Sequence, residues 1–544
     1  MGDPLKEQAE TLPALRQVVD AAGPYLDRLP RRLVYDRAAE PMLGELGGPL
    51  PEEGAGTRAA VERLLEVGTA TSTASAGPRF FHFVIGGSTP AALAADWVVS
   101  LLDQNAFVRA SSRFADAAET VALDWLRELV GLPPGWGGAL TASATFANFT
   151  GLALATHWWA ERHGVDVTSA GLAGLPRMPV LSGGYLHPSA RKALQMLGHG
   201  KDMVEVFTRD EVGRIDVAAV RRRLGELDGA PAVLAATAGE PNAGEFDPLA
   251  DLADLAEEFG AWLHIDGAFG LFAALSPRTA HLTAGMERAD SIAADAHKWL
   301  NVPYESGFAL VQEPGRLGPA FGMPGAAYLP GPDDPRGGYG LLGPESSRRA
   351  RALPIWATLA AYGRSGYQAL VERHCDLAAH LAAAVDAAPD LERLAEVPLN
   401  VVCFRYRPAG LPEPGLDDIN RRLGEALLDD GRVFAGATVY GGRAALRPAI
   451  SNWRTTADDL DLLVEVVREL GARAANADGR FRRSVRAGSP VGRQSTPGPG
   501  TAWRRVTPPG STGGNVSRRW PLWRPVRGRP RRGGRGRRRW CASC

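Results

Sequence analysis

Between about residue 80 and residue 360, short apolar runs alternate with patterns of helical period. The runs "PVLSG", "AVLAAT", "WLHID", "SIAAD" and "GFALV" are short and mostly apolar, which predicts buried strands. Between two of them lies "DPLADLADLAEEFG", with Leu249, Leu252, Leu255 and Phe259 at helical spacing. Asp247 is expected to cap this helix, Pro248 to suit its first turn and Gly260 to end it. Strand–helix–strand alternation predicts an α/β fold, a mostly parallel sheet covered by helices. Ligands in such sheets sit at the carboxyl ends of the strands.

The flanking patterns divide the chain further. Residues 1–79 read as a polar, helical N-terminal segment, and 80–364 as the large domain. Residues 365–478 read as a smaller C-terminal α/β domain, and "RRARALPIWATLAAYGRSGYQALVERH" as a long helix leading into it. The Gly/Pro-rich stretch 323–347 is too long for a simple connector and predicts a functional loop or lid. Residues 479–544 have no periodicity and are expected to be disordered.

Composition sharpens this division. The chain has 544 residues, 45% of them hydrophobic, and a formal net charge of zero. That balance conceals a split, because residues from Arg480 onward carry 18 arginines and no acid, leaving the body at −18. Three readings of the tail stand open: a nucleic-acid binder, with Trp503, Trp520, Trp523 and Trp540 among the arginines, an inert tail, or frame-shifted text. The terminal "CASC" has metal-knuckle spacing but no second pair, so no metal site is expected. Four cysteines do not make a disulfide framework, and Cys375 and Cys403 are expected to be reduced and buried. With no long apolar run and no secretory-type start, a cytoplasmic protein without a membrane span is expected.

Two strand ends carry residues that packing alone does not explain. "WLHIDGAFG" finishes a strand with Asp266, and "SIAADAHKWL" finishes another with Asp295, His297 and Lys298. A lone aspartate there reads as a cap or an ion pair, and a lone lysine as a snorkelling surface residue. Together they place an acid and an amine at neighbouring strand ends, facing one ligand. Pyridoxal phosphate needs such a pair: a lysine for its aldehyde, a carboxylate for its protonated pyridine nitrogen, and amides at a helix N-terminus for its phosphate. "GALTASATFANFTGLALATHWW" offers that terminus, with Ser143, Ala144 and Thr145 leading into an apolar helix.

The chain resembles the group II amino-acid decarboxylases dependent on pyridoxal phosphate, the aromatic-amino-acid, glutamate and histidine decarboxylase group. The resemblance spans about 75–470 and rests on "HIDGAFG" followed by "DAHKWLNVPY", with "PRFFHF", "LDWLRELVGLP", "GYLHPSARKALQMLG", "SRRARALPIW" and "LRPAISNWRTT" in order. It implies a fold-type I enzyme with a mostly parallel seven-stranded sheet, working as a homodimer on an amino acid. It implies a Schiff base on Lys298, Asp266 on the pyridine nitrogen, Ala268 against one ring face and His187 on the other. It places Ser143, Ala144 and Thr145 around the phosphate with His297 nearby, and Phe83 and Arg447 toward the substrate. A tyrosine on a mobile loop supplies the proton to Cα in this family, and Tyr339 matches its placement, with Tyr328 next in line.

The sequence departs from the family pattern after "ATAG", where Glu240, Pro241 and Asn242 replace two common threonines. The apolar edge "FFHFVIGG" favours an aromatic or bulky apolar substrate. The expected activity is therefore decarboxylation of such an L-amino acid to its amine and CO₂. The alternatives are other chemistry with the same cofactor (aldehyde synthase, lyase or aminotransferase), or a non-catalytic binder using the basic tail.

Overall fold

A computed structural model describes residues 3–323, 330 and 337–487 of the chain. Seven strands form the large sheet: β1 (Gly137–Thr141), β2 (Val180–Ser182), β3 (Val204–Val206), β4 (Val233–Thr237), β5 (Trp262–Asp266), β6 (Ser291–Asp295) and β7 (Gly307–Val311). Their order is β1-β7-β6-β5-β4-β2-β3. Strands β3, β2, β4, β5 and β6 run parallel, and β7 runs antiparallel to both β6 and β1. All five predicted strands are present. Strands β1 and β3 carry no comparable apolar run, since "GGALT" opens on two glycines and "VEV" is three residues long.

Helices cover the sheet because its central strands are buried along their whole length. The central one, α5 (Ala144–Arg162), packs on β5, β6 and β7 and buries thirteen of its nineteen residues. Its small residues allow that approach, and its apolar surface lies on nearly all sides rather than in one stripe. The predicted helix forms at Leu249–Phe259, and Gly260 ends it in the left-handed region at φ 61°. Asp247 does not cap it. The side chain turns inward, and its Oδ2 accepts from Thr237 N on β4 at 2.8 Å. Burial of the strand end, where an amide needs a partner, outweighs the cap.

A second sheet holds β8 (Leu391–Arg393), β9 (Phe404–Tyr406), β10 (Ala437–Tyr440) and β11 (Arg443–Leu446), in the order β10-β11-β9-β8, all antiparallel. The helix Glu413–Asp430 packs on it. The long helix runs Ala352–Ala387 and is interrupted at Gly363, whose φ is 61°. The segment from Phe80 to Gly87 joins the two sheets. Phe81 is buried in the apolar cluster of the second sheet, and Phe81 N donates to Phe434 O at 2.8 Å. At its other end, a Cβ on Gly86 would stand 1.7 Å from Lys298 O, so only glycine fits.

Near the N-terminus, Thr11–Arg28 and Thr57–Thr71 form two helices that pack on each other. No described helix is long and apolar enough to cross a membrane. Cys375 and Cys403 are free thiols, the first half-buried and the second buried. Tyr328, residues 324–329 and 331–336 of the 323–347 stretch, and the tail beyond 487 lie outside the described residues.

Candidate active site

Strands β4, β5 and β6 end side by side on Thr237, Asp266 and Asp295. Because β7 is antiparallel, it starts at this same edge, and Gly307 pairs with both Asp295 and Thr141. The turn after β1 then delivers Ser143 and the N-terminus of α5 to the edge. A Cβ on Gly307 would sit 2.5 Å from the carbonyl carbon of Ser143, so this close approach requires glycine.

Lys298 projects from the turn after β6. Its Nζ lies 3.2 Å from Asp295 Oδ2, and its side chain is only 20% exposed. Asp295 Oδ1 accepts from Ala144 N at 2.5 Å and lies 3.4 Å from His297 Nε2. His297 Nδ1 accepts from Ser306 N at 3.2 Å, so the ring proton sits on Nε2 and faces Asp295. Burial lowers the His297 pKa. Tyr304 stacks on the His297 ring at 4.2 Å between centroids. The turn itself is anchored as its apolar pair suggests. Trp299 and Leu300 are buried, and Trp299 Nε1 donates to His374 Nδ1 at 2.7 Å.

Asp266 is buried, yet its carboxylate is provided for. Oδ2 accepts from Asn148 Nδ2 on α5 at 2.8 Å, and Oδ1 accepts from Ala268 N at 3.1 Å. His187 caps the helix Pro188–Met196, with Ser189 N donating to its Nδ1 at 3.2 Å. Burial lowers the His187 pKa, and Asp266, Lys298, Arg447 and Asp295 all lie within electrostatic reach of its ring.

Arg447 is largely buried, which lowers its pKa, and its hydrogen-bond partner is Pro241 O at 3.2 Å. Glu240 lies within electrostatic reach of it. Phe83 is 61% exposed, with its ring 3.7 Å from that of His82. Lys298, Asp266, Ala268, His187, His297, Ala144 and Arg447 are thus brought to one edge of the sheet. Tyr339 is elsewhere: its hydroxyl donates to Thr120 Oγ1 at 3.1 Å, and its neighbouring charges are Glu119, Asp116 and Asp124.

The profile of the pyridoxal-dependent decarboxylase conserved domain matches residues 59–407. The chain belongs to this family. It is 33% identical over 450 residues to an L-2,4-diaminobutyrate decarboxylase of Rhizobium meliloti (strain 1021), covering 78% of this chain and 84% of that one. It is 27% identical over 478 residues to an aromatic-L-amino-acid decarboxylase of Bacillus atrophaeus, covering 86% and 97%. Among solved structures it is similar to Oryza sativa TDC with PLP and tryptamine, at a TM-score of 0.79 and 25% identity, covering 87% and 99%. The protein is a pyridoxal-phosphate-dependent amino-acid decarboxylase, a carboxy-lyase of fold-type I.

The residues of this decarboxylase at the sheet edge fit that cofactor. Two buried hydroxyls there, Thr237 Oγ1 and Ser306 Oγ, have no partner among the described residues, which a buried polar group rarely tolerates. Ser143 stands at the cap position of α5 without making a capping bond, leaving its hydroxyl free. Sequence reasoning missed Asn148, Ser306 and the role of Asp295. Asn148 gave a signal, being a polar residue in an otherwise apolar helix, whereas Ser306 acquires meaning only when β7 folds back beside Ser143.

Proposed function

We propose that this decarboxylase acts on an L-amino acid with an aromatic or bulky apolar side chain, through a Schiff base at Lys298. The observation that carries the site reading is the pairing of β5 with β6, which sets Asp266 at one strand end and Lys298 in the turn after the other, at one sheet edge. When bound, the cofactor supplies an electron sink for the carbanion that loss of CO₂ leaves behind. Lys298 holds the cofactor through its amine, and its largely buried position beside Asp295 limits access of competing water. Asp266 would hold a proton at the pyridine nitrogen of the bound cofactor, and Ala268 would help to hold its ring. Ser143, Ala144, Thr145 and His297 bind the phosphate, where the amides of α5 favour an anion. His187 covers the opposite face with Nε2–H directed away from Ser189, placed to move a proton at Cα. Arg447, with no carboxylate of the described residues within ion-pair distance, receives the substrate carboxylate.

The aromatic cluster of Phe80, His82, Phe83 and Phe434 supports the choice of side chain. A second reading is favoured by Glu240. This buried carboxylate beside Arg447 suits a substrate with a second amine, the class that the Rhizobium relative's name describes. Release of CO₂ from the purified protein, measured across aromatic L-amino acids and L-2,4-diaminobutyrate, decides between them. Turnover of diaminobutyrate alone would overturn the first reading. Turnover of an aromatic substrate in Glu240→Gln as in the wild type would remove the second.

The working unit is proposed to be a homodimer. Trp97, Val98, Leu101 and Leu102 are exposed on the helix Pro90–Leu102, an apolar surface larger than single stray residues explain. Light scattering at micromolar concentration tests this, and a monomer would overturn it.

A further inference from the structure

Behind Asp266 runs a chain of side chains that no step above uses. Trp262 Nε1 donates to Ser291 Oγ at 3.1 Å, and Ser291 Oγ lies 2.9 Å from His264 Nδ1. His264 Nε2 lies 2.8 Å from Asn148 Oδ1, and Asn148 Nδ2 donates to Asp266 Oδ2 at 2.8 Å. Ser291, His264 and Asn148 are completely buried. Space for them is provided by Gly151 on α5, where a Cβ would stand 2.7 Å from the His264 ring and 2.9 Å from Ser291 Oγ.

The two ends fix the direction of every bond. An indole N–H only donates, and a carboxylate only accepts. Ser291 therefore accepts from Trp262 and donates to His264 Nδ1, and His264 carries its proton on Nε2 and donates to Asn148. The opposite polarity would turn the Asn148 carbonyl onto the Asp266 carboxylate, acceptor against acceptor. Asn148 also branches. Its Nδ2 lies 3.4 Å from Ser189 Oγ, which is 2.7 Å from His187 Nδ1.

We infer that His264 and Asn148 are positioning residues that hold Asp266 as an oriented, ionised carboxylate for the cofactor's pyridine nitrogen, and that Asn148 links this carboxylate to His187. The inference rests on the reading that Asp266 meets that nitrogen. Burial, which lowers the His264 pKa to about 4, is consistent with a neutral ring that relays polarity without titrating near neutral pH.

The test compares His264→Leu, His264→Gln and Ser291→Ala. Glutamine keeps an amide donor near the Nε2 position, and leucine does not. Apo-protein is reconstituted with pyridoxal 5'-phosphate, the dissociation constant is read from tryptophan fluorescence, and the visible absorbance of each holoenzyme is titrated with pH. The relay predicts roughly tenfold weaker binding and a displaced absorbance titration for His264→Leu. It predicts near-wild-type behaviour for His264→Gln and a smaller loss in the same direction for Ser291→Ala. Equal losses in the leucine and glutamine variants, or wild-type values in the leucine variant, overturn it. Should His264→Leu not fold, Ser291→Ala decides, and an unchanged affinity and titration there overturns the relay. Asp266→Ala separates the two readings, because unaltered cofactor binding in that variant refutes the role of Asp266 itself.

Discussion

Lys298 Nζ stands 3.2 Å from Asp295 Oδ2, and the same carboxylate takes the first amide of α5 through its other oxygen. One side chain thus ties the proposed Schiff-base lysine to the proposed phosphate-binding helix. Lys298→Ala is expected to leave the fold intact, since the lysine side chain makes no other hydrogen bond or ion pair among the described residues. It should abolish the visible absorbance of bound cofactor and lower CO₂ release by at least on the order of 10³-fold. Absorbance of the purified variant after incubation with pyridoxal 5'-phosphate checks this, and a retained band would remove Lys298 from its role.

Gly307→Ala should separate β7 from the turn at Ser143. The added Cβ meets backbone, 2.5 Å from the Ser143 carbonyl carbon, so the strain cannot be relieved by rotating a side chain. A loss of about 1–3 kcal/mol of stability and weakened cofactor binding are expected. Gly315→Ala, with nothing within 4 Å of the added carbon, is the control. Urea titration and reconstitution of the two variants check the pair.

Asp247 gives a pH dependence whose sign follows from its burial. Desolvation pushes its pKa up to about 7 from 3.8, only partly opposed by the bond from Thr237 N. The folded state therefore holds the proton more tightly than the unfolded chain. Its stabilising contribution is complete below the unfolded pKa and is lost as pH rises through about 7. Asp247→Asn keeps an acceptor for Thr237 N and removes the charge. It should be more stable than the wild type at pH about 8, by on the order of a few kcal/mol, and show no gain at pH about 4. Thermal melts at the two pH values measure it, and an equal effect at both would refute the assignment.

Tyr339→Phe removes a hydroxyl that donates to Thr120 at 3.1 Å. Stability is expected to fall by about 1 kcal/mol while cofactor affinity stays unchanged. If instead CO₂ release fell with stability intact, or the product changed from amine to aldehyde, Tyr339 would take up the loop proton-donor role suggested by the family resemblance.

The strands were legible because β4, β5, β6 and β7 are predominantly apolar and buried at every residue, and a central sheet covered on both faces demands that pattern. Strand β1 was not, because its glycines at 137 and 138 reflect contact with Pro314 and the backbone of Ala309, which no local pattern announces. Asp247 misled for a related reason. Its position before Pro248 has the form of a helix cap, but the chain uses it 10 residues away in sequence, on Thr237.

Taken alone, the sequence determined where two strands end and which charged groups stand there. Asp266 ends one strand and Asp295 another, with Lys298 in the turn that follows, and burial makes an unpartnered charge there costly. It determined the helix over 249–259 and its glycine stop for the same local reason, period and cap being written in neighbouring residues. The partners of those charges were decided only by tertiary structure. Asn148 reaches Asp266 across 118 positions, Ala144 reaches Asp295 across 151, and Gly86 leaves room for the backbone carbonyl of Lys298. Such pairs depend on the order in which strands lie in the sheet, and that order follows from how whole faces bury one another rather than from any stretch of the chain.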